Sequence, residues 1–215
     1  MIFLFNWFVK ITGWLPYTLI IRPKIHYEDK SVQSRKIKGS AIVVSNHNDL
    51  LDFAVTMFTF PTRTLRCAVA EIMFKKNFFM TLFLKLLGAI HVDRNIHDFS
   101  FLGKSNDILS RGGVVEIYPE SRLPDPDEER PLEFKPSAIY LALESGAPII
   151  PIYSNAKFFS KEHLRVMIGK PIDVRELYRD DLSEKDNIEN INAYVRRKII
   201  EYGNQIRLID EGNEK

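Results

Sequence analysis

The sequence predicts an α/β domain in which a mixed, largely parallel sheet is flanked by helices, with a separate amphipathic helical segment at the N-terminus. Short apolar runs of strand length alternate with stretches whose apolar residues recur every three or four positions. The strand runs are almost continuously apolar, which is typical of sheets covered on both faces. Apolar residues make up 45% and charged residues 27% of the 215 residues, a composition that supports a globular core.

Each element follows from its own pattern. Strands are predicted at residues 41–45, 65–70, 90–93, 114–118, 148–153 and 163–168. Helices are predicted at residues 50–58, 72–87, 97–110, 136–146 and 183–207. Gly88 and Gly112 favour helix ends, and Pro136 favours a helix start. We divide the chain into an N-terminal segment, residues 1–25, and a domain, residues 26–210.

The N-terminal segment is both basic and apolar. Residues 1–40 contain seven lysines and arginines against two acids, a net charge of +5, so the remaining 175 residues carry −3. Both tryptophans of the chain lie within the first 21 residues. This composition is typical of a segment that lies in an anionic lipid interface. We therefore expect a peripheral or monotopic protein on the cytoplasmic face of a membrane.

The spacing of the aromatic residues supports this expectation. One helical face is predicted to hold Phe3, Trp7, Ile11 and Trp14. The cations expected near lipid phosphates are Lys10, Arg22 and Lys24. Polar residues and Pro16 interrupt the apolar run before it reaches the ~20 residues of a spanning helix, and no small-residue cleavage site follows it. The alternative is a helix that packs on the protein's own core.

Other classes of protein fit the composition poorly. Cys67 is the only cysteine, so no intrachain disulfide and no cysteine-rich metal site is possible, which suits a reducing compartment. We expect neither a metal nor a prosthetic group. Nucleic-acid binding is not expected, because the basic residues cluster with aromatic ones and the rest of the chain is acidic.

Polar residues follow the first predicted strand, at the end where α/β folds place functional groups. His47 lies on the strand-to-helix turn, and Asp52 comes five residues later. With Asp49 as the N-cap, the Asp52 carboxylate can hold one imidazole nitrogen, and the other nitrogen can take a proton from a substrate hydroxyl. The same spacing also fits a capping pair beside a structural histidine.

A second polar cluster follows the strand predicted at residues 114–118. Arg122 is a permanent cation in a turn, suited to bidentate binding of a phosphate. Glu120 can either orient that guanidinium or accept hydrogen bonds from nearby backbone amides. The alternative for Arg122 is an exposed ion pair, which contributes little to stability. The loop at residues 121–135, which contains three prolines, follows directly.

Five blocks of sequence occur in a fixed order: SNHNDLLD at residues 45–52, GAIHVDR at 88–94, YPESR at 118–122, FKPSA at 134–138 and PIIPI at 148–152. Together they resemble the glycerolipid acyltransferase family, the 1-acylglycerol-3-phosphate acyltransferases and their relatives. Each block alone is a weak signal, but five in order at sensible spacing make a specific one.

The resemblance implies roles for the matching residues. His47 would be the general base on the acceptor hydroxyl, and Asp52 would orient it. The residues that would bind the acceptor's phosphate are Glu120, Ser121, Arg122, Arg94 and, from the lysine pair at 75–76, Lys75. Ser121 and Ser137 stand where the family has glycine, which permits a positive φ and close approach of a ligand.

The implied activity is transfer of a fatty acyl group from acyl-CoA or acyl carrier protein to a lysophospholipid hydroxyl, with 1-acylglycerol-3-phosphate as the expected acceptor. Two alternatives use the same residues. An acyl-thioester hydrolase would apply the His47 base to water, and a noncatalytic protein would bind anionic lipid through the basic, apolar N-terminus and Arg122.

Overall fold

The computed structural model describes residues 1–92, 100–158 and 163–213. Within these residues, seven strands form one sheet: β1 (Lys24–Tyr27), β2 (Ala41–Ser45), β3 (Leu65–Ala70), β4 (Ile90–Val92), β5 (Val114–Ile117), β6 (Ile149–Ser154) and β7 (Arg165–Ile168). Their spatial order is β1-β7-β6-β2-β5-β3-β4. Every pair of neighbours is parallel except β6 and β7. The prediction of a mixed, largely parallel sheet is confirmed.

Helices cover both faces of this sheet. They are α1 (Ile2–Pro16), α2 (Asp52–Thr59), α3 (Glu71–Phe74), α4 (Phe78–Leu87), α5 (Ser100–Ser110), α6 (Ser137–Ser145) and α7 (Glu184–Asn213), with a π-helical turn at Tyr17–Ile21. Residues of α5, α6 and α7 pack into the core on one face. Residues of α1, α2 and α4 pack on the other face. Burial on both faces explains why the strands are apolar runs rather than alternating patterns.

The parallel strands bring separated parts of the chain to one edge of the sheet. Val44 of β2 pairs with Ile117 of β5, and Ser45 pairs with Ile152 of β6. The residues that follow β2, β5 and β6 therefore meet at the carboxyl edge, the usual place for a functional site in this class of sheet.

Strand β1 was not predicted. It is a four-residue edge strand that follows Pro23 and pairs in parallel with β7. Lys24 is exposed, and the other three residues are only partly buried. The segment therefore lacks the apolar run by which the other strands were identified.

Several predicted helix boundaries are wrong. The last helix, expected to end at Arg207, continues to Asn213. The helix expected at residues 72–87 is two helices, α3 and α4, separated at Asn77. The Asn77 side chain accepts the N–H of Met80 at 2.8 Å and caps α4, because a short amide side chain competes with helix continuation. The end of α4 at Gly88, with φ 78°, is confirmed. The helix expected to begin at Leu50 begins at Asp52.

Helix α1 has the opposite polarity to an ordinary surface helix, because it buries polar side chains and exposes aromatic ones. Asn6 and Lys10 are buried. The Lys10 ammonium donates to the carbonyl oxygens of Pro61 and Arg63, and burial lowers its pKa to about 8. The prediction that Lys10 faces lipid phosphates is therefore wrong. The predicted aromatic face is solvent-exposed, with Phe3 at 62% and Trp14 at 56%.

The alternative for this segment, a helix packed on the protein's own core, describes only one side of α1. Phe5 and Val9 are partly buried against the core shared with α2 and α4, whereas the aromatic side has no such cover. In the described part of the chain, no helix is both long and apolar enough to cross a membrane.

Candidate active site

The turn after β2 is held in place by Asn46. This side chain is buried and forms two hydrogen bonds with the backbone of Ser154 at the end of β6: its Nδ2 donates to the Ser154 oxygen and its Oδ1 accepts the Ser154 N–H, both at 2.9 Å. A pair of hydrogen bonds of this kind fixes both the position and the orientation of the side chain. Asn46 belongs to the first sequence block, but no role was predicted for it.

His47 and Asp52 meet at the carboxyl edge. His47 Nδ1 lies 3.1 Å from Asp52 Oδ2. The same carboxylate oxygen accepts the backbone N–H of Asn48 at 2.7 Å and that of Asp49 at 2.8 Å. Asp52 Oδ1 is buried and has no hydrogen-bond partner among the described residues. With Nδ1–H donating to Asp52, Nε2 is the nitrogen that can accept a proton.

The expected capping geometry at this turn is wrong in one detail. Asp49 is not the N-cap of α2, since the helix begins at Asp52 and is preceded by Leu51. Asp49 instead accepts the N–H of Leu51 through its own carboxylate at 2.8 Å. The first residue of α2 therefore supplies the carboxylate for His47, and the negative charge lies at the helix N-terminus, where the helix dipole favours it.

Tyr118 forms a wall for the His47 imidazole. The two rings stack with centroids 4.4 Å apart and planes inclined by 28°. The Tyr118 hydroxyl donates to Glu116 Oε1 at 2.6 Å. Neither Glu116 nor Tyr118 was predicted as a site residue. An acid inside the apolar run of β5 was a signal that could have identified Glu116.

Glu120 supports the turn rather than the arginine. Its Oε1 accepts the backbone N–H of His47 at 2.7 Å, and its Oε2 accepts that of Leu132 at 2.8 Å. Burial raises its pKa above the ordinary value. Of the two roles considered for Glu120, bonding to backbone amides is the one the structure shows.

Arg122 lies beside the cavity but is engaged elsewhere. Its guanidinium forms a bidentate pair with Glu128, at 2.6 and 2.5 Å, and approaches Asp125 at 4.0 Å. The side chains of Arg122 and Glu128 are 48% and 33% exposed. Hydrogen bonding to Arg122 lowers the Glu128 pKa to about 2. This geometry matches the exposed ion pair considered for Arg122, and it also shows the guanidinium binding a planar anion.

Ser121, which was predicted to stand in place of a glycine, has a backbone conformation that favours glycine. Its φ is 63°, in the left-handed region, which L-residues adopt at a cost of about 1–2 kcal/mol. Its hydroxyl donates to the Pro119 oxygen at 3.3 Å. Ser137 is the first residue of α6 and needs no such conformation. The two substitutions for glycine therefore differ in their structural effect.

A cavity of about 1090 Å³ opens beside His47. Its wall is mainly apolar, with side chains from α2, β3, α4 and α5 that include Phe53, Leu65, Met80, Phe83, Leu84 and Leu102. The polar and charged lining residues are His47, Glu116, Tyr118, Ser121, Arg122, Lys76, Lys135, Ser137, Tyr140 and Asn6. Ligand cavities of about 300–1,000 Å³ are typical of small-molecule sites, so this one has room for a long apolar substrate.

Lys75, another of the predicted phosphate ligands, does not line this cavity. Lys75 forms an ion pair with Glu71 at 2.6 Å. Lys76 is the member of that pair that lines the cavity. Arg94 lies outside the described residues.

Comparison with known proteins identifies the family of this chain. A family model described as Acyltransferase matches residues 22–155. The chain is 24% identical over 184 residues to 1-acyl-sn-glycerol-3-phosphate acyltransferase beta of Homo sapiens, an alignment that covers 81% of this chain and 66% of the human protein. It is 25% identical over 179 residues to the putative 1-acyl-sn-glycerol-3-phosphate acyltransferase acl-1 of Caenorhabditis elegans, with 80% and 66% covered. The alignments span just under two thirds of each relative.

The fold also has a solved counterpart. The crystal structure of the 1-acyl-sn-glycerophosphate acyltransferase PlsC from Thermotoga maritima superimposes with a TM-score of 0.64 and 18% identity, covering 92% of this chain and 79% of that one. At this identity the likeness shows the fold. The region matched by the family model contains all five sequence blocks from residue 45 to residue 152.

Proposed function

This chain belongs to the acyltransferase family, and from that premise we propose that it transfers a fatty acyl group from acyl-CoA or acyl carrier protein to the hydroxyl of a lysophospholipid. We take 1-acylglycerol-3-phosphate as the acceptor and phosphatidic acid as the product. The observation that carries the proposal is the His47–Asp52 pair at the wall of a large apolar cavity.

The chemistry needs one base and no added group. His47 Nε2 takes the proton from the acceptor hydroxyl, and the oxygen attacks the thioester carbonyl carbon to form a tetrahedral intermediate. Asp52 stabilises the imidazolium through Nδ1. When the intermediate collapses, the carbon–sulfur bond breaks, and the imidazolium returns its proton to the departing thiolate. We propose that neither a metal nor a prosthetic group takes part.

We propose that the apolar and the basic parts of the cavity lining bind different parts of the substrates. The apolar side chains of α2, β3 and α4 would bury an acyl chain, which is favourable by about 0.8 kcal/mol for each methylene removed from water. Arg122, together with Lys76, which also lines the cavity, would bind the acceptor's phosphate once Glu128 has moved away. Exposed ion pairs contribute little to stability, so a phosphate can replace the Glu128 carboxylate at small cost.

The outer face of α1 supports docking on a membrane surface. We propose that this face inserts into the interface of an anionic membrane on its cytoplasmic side. Phe8 is 61% and Trp14 56% exposed on α1, and Phe79 is 80% exposed on α4, which packs against α1. Contiguous exposed apolar surface of this kind marks an interaction site. Arg22 and Lys24 remain exposed and can contact lipid phosphates.

The activity is tested with the purified protein, a panel of lysophospholipids and both donors, with products identified by mass spectrometry. We expect phosphatidic acid from 1-acylglycerol-3-phosphate and its loss in His47→Ala. His26→Ala is the matched control, because His26 lies on β1 at the far edge of the sheet. Free fatty acid formed regardless of acceptor would identify a hydrolase, and lipid binding without any product would identify a noncatalytic protein.

Membrane docking is tested by sedimentation with anionic vesicles. A double substitution, Phe8→Ser with Trp14→Ser, should weaken binding without disturbing the buried side of α1. Leu208→Ser is the control, because Leu208 is 64% exposed on α7, which packs on the opposite face of the sheet. High salt should weaken vesicle binding in part, through Arg22 and Lys24. Equal sedimentation of the double variant and wild type would contradict docking through this face.

A further inference from the structure

An acid is buried in the middle of the sheet and lines the same cavity as the candidate base. Glu116 is only 1% exposed, and it is the one acid among the apolar residues of β5. It lies opposite Val43 of β2 and Cys67 of β3, at the wall of the cavity. Burying a carboxyl group away from water costs stability unless it is hydrogen-bonded, and an apolar side chain at this position would avoid that cost.

The hydrogen bonds of Glu116 lead towards His47. Its Oε1 accepts the Tyr118 hydroxyl at 2.6 Å, and the Tyr118 ring stacks on the imidazole at 4.4 Å. Tyr118 is therefore held at its hydroxyl end and presents its ring at the other. Asp52 holds only one nitrogen of His47, so the tilt of the ring about that contact needs a second support.

We propose that Glu116 and Tyr118 are positioning residues for the His47 imidazole, Glu116 by anchoring the Tyr118 hydroxyl and Tyr118 by stacking on the ring. The proposal rests on the proposed function of His47 as the base. Together with Asp52, these residues keep Nε2 aimed into the cavity, where a hydroxyl can meet it. A displacement of about 1 Å in such a group can cost 100-fold in rate.

The surroundings of Glu116 favour its neutral form. The groups that face it are the Thr56 hydroxyl and the Asp52 carboxylate from α2, the Cys67 thiol from β3 and the Tyr118 hydroxyl from the residue after β5. Burial, and secondarily the Asp52 charge, raise the Glu116 pKa to about 7. A neutral Glu116 still accepts the Tyr118 hydroxyl, and it adds no second negative charge beside Asp52.

The proposal is tested by Tyr118→Phe, Glu116→Ala and their combination. Tyr118→Phe keeps the ring and removes only its anchor. Each single change should lower kcat about tenfold with the KM of both substrates within about twofold, because positioning affects the reacting geometry rather than binding. The double variant should lose no more than either single one, since the two residues act as a unit. Glu116→Gln, which keeps an acceptor, should recover most of the kcat lost in Glu116→Ala.

A second readout does not depend on activity. The ring nitrogen signals of His47, measured by nuclear magnetic resonance, should show one tautomer in the wild type and shift towards averaged values in Tyr118→Phe. Tyr178→Phe, at an exposed tyrosine, controls for loss of a hydroxyl elsewhere. If the wild type transfers no acyl group, the proposed function fails, and these signals still decide the positioning role.

The positioning role is overturned if Tyr118→Phe leaves both kcat and the His47 signals at wild-type values. It is equally overturned if the losses in Tyr118→Phe and Glu116→Ala multiply in the double variant, because independent effects would then explain them. Thermal unfolding identifies any variant that fails to fold. Tyr118→Phe, which removes one oxygen atom, remains decisive if Glu116→Ala does not fold.

Discussion

The two polar clusters at the carboxyl edge are built in opposite ways. Asp52 is 2% exposed, and one of its oxygens receives His47 and two backbone amides. Arg122 is half exposed, and its partner Glu128 belongs to a loop rich in acids and prolines. In the first cluster, the hydrogen bonds of Asp52 already orient His47 without any substrate. The second already holds an anion, the Glu128 carboxylate, which the acceptor's phosphate would replace under the proposed function.

This difference separates two demands on an enzyme. A base must be oriented within a fraction of an ångström when the reaction occurs, and preorganised hydrogen bonds provide that. A cation that selects a phosphate must bind and then release its ligand. Variants at the two clusters should therefore differ both in the size of their effects and in the kinetic constant that changes.

The largest effect should come from His47→Ala, which removes the base. We expect kcat to fall about 10²–10⁴-fold while the protein remains folded. Steady-state rates with saturating acceptor and donor measure this loss, and His26→Ala provides the reference. A folded variant with more than about a tenth of the wild-type rate would disprove the assignment of the base.

Asp52→Asn tests preorganisation rather than the base itself. One amide oxygen can still accept the backbone amides of Asn48 and Asp49, so the start of α2 should persist. The negative charge that stabilises the imidazolium is lost, and we expect kcat to fall about 100-fold with little change in KM. Circular dichroism should show an unchanged helix content. A rate near that of the wild type would mean that the histidine needs no orienting carboxylate.

Glu116→Gln should make the stability of the buried cluster less dependent on pH. The Glu116 pKa is raised from 4.5 to about 7 in the folded protein, so its contribution to stability is complete below pH 4.5 and is lost as the pH rises through 7. The free energy of unfolding should therefore fall by about 3 kcal/mol across this window. Urea unfolding at pH 5 and pH 8 measures the fall, which should be smaller in the variant. An equal fall in both proteins would assign it to other groups.

Arg122→Ala should change the KM for the acceptor far more than the KM for the donor. If the guanidinium binds phosphate, the acceptor KM should rise at least about tenfold and the donor KM should change less than about twofold. Arg122→Lys should restore only part of the loss, because an ammonium cannot bind bidentately. Equal changes in both KM values would indicate a structural role for this loop and would remove the contrast between the two clusters.

The smallest effect should come from Glu128→Gln. Removing the competing carboxylate should lower the acceptor KM by no more than about fivefold, since exposed ion pairs are weak. Glu129→Gln removes the same charge one residue away and serves as the control. If Glu128→Gln raised the acceptor KM instead, the Arg122–Glu128 pair would be part of the binding geometry rather than a competitor.

What the sequence predicted depends on how local each feature is. His47 and Asp52 are five residues apart on one turn, so their contact followed from the turn and the helix start. The sheet class followed from apolar runs. The stack of Tyr118 on His47 joins residues 71 positions apart, and its existence depends on the register of β2 against β5, which no local pattern reveals.

The remaining differences have physical causes as well. The periodicity of α1 correctly grouped Phe3 and Trp14 on one face, but period alone does not say which face is buried. Lys10 was expected in water because of its charge, yet two backbone carbonyls bind its ammonium inside the protein. The Arg122–Glu128 pair forms within an irregular loop, where the sequence has no period to follow.

The exposed aromatic side of α1 leads to a kinetic prediction for the proposed membrane-docked enzyme. Under the membrane docking proposed for Phe8 and Trp14, the enzyme would meet its acceptor by diffusion in two dimensions, and both the lysophospholipid and its product would stay in the same plane. The rate should then follow the mole fraction of acceptor in the bilayer rather than its bulk concentration. Dilution with inert phospholipid at constant acceptor should slow turnover, whereas dilution with buffer should leave the vesicle-bound enzyme unaffected.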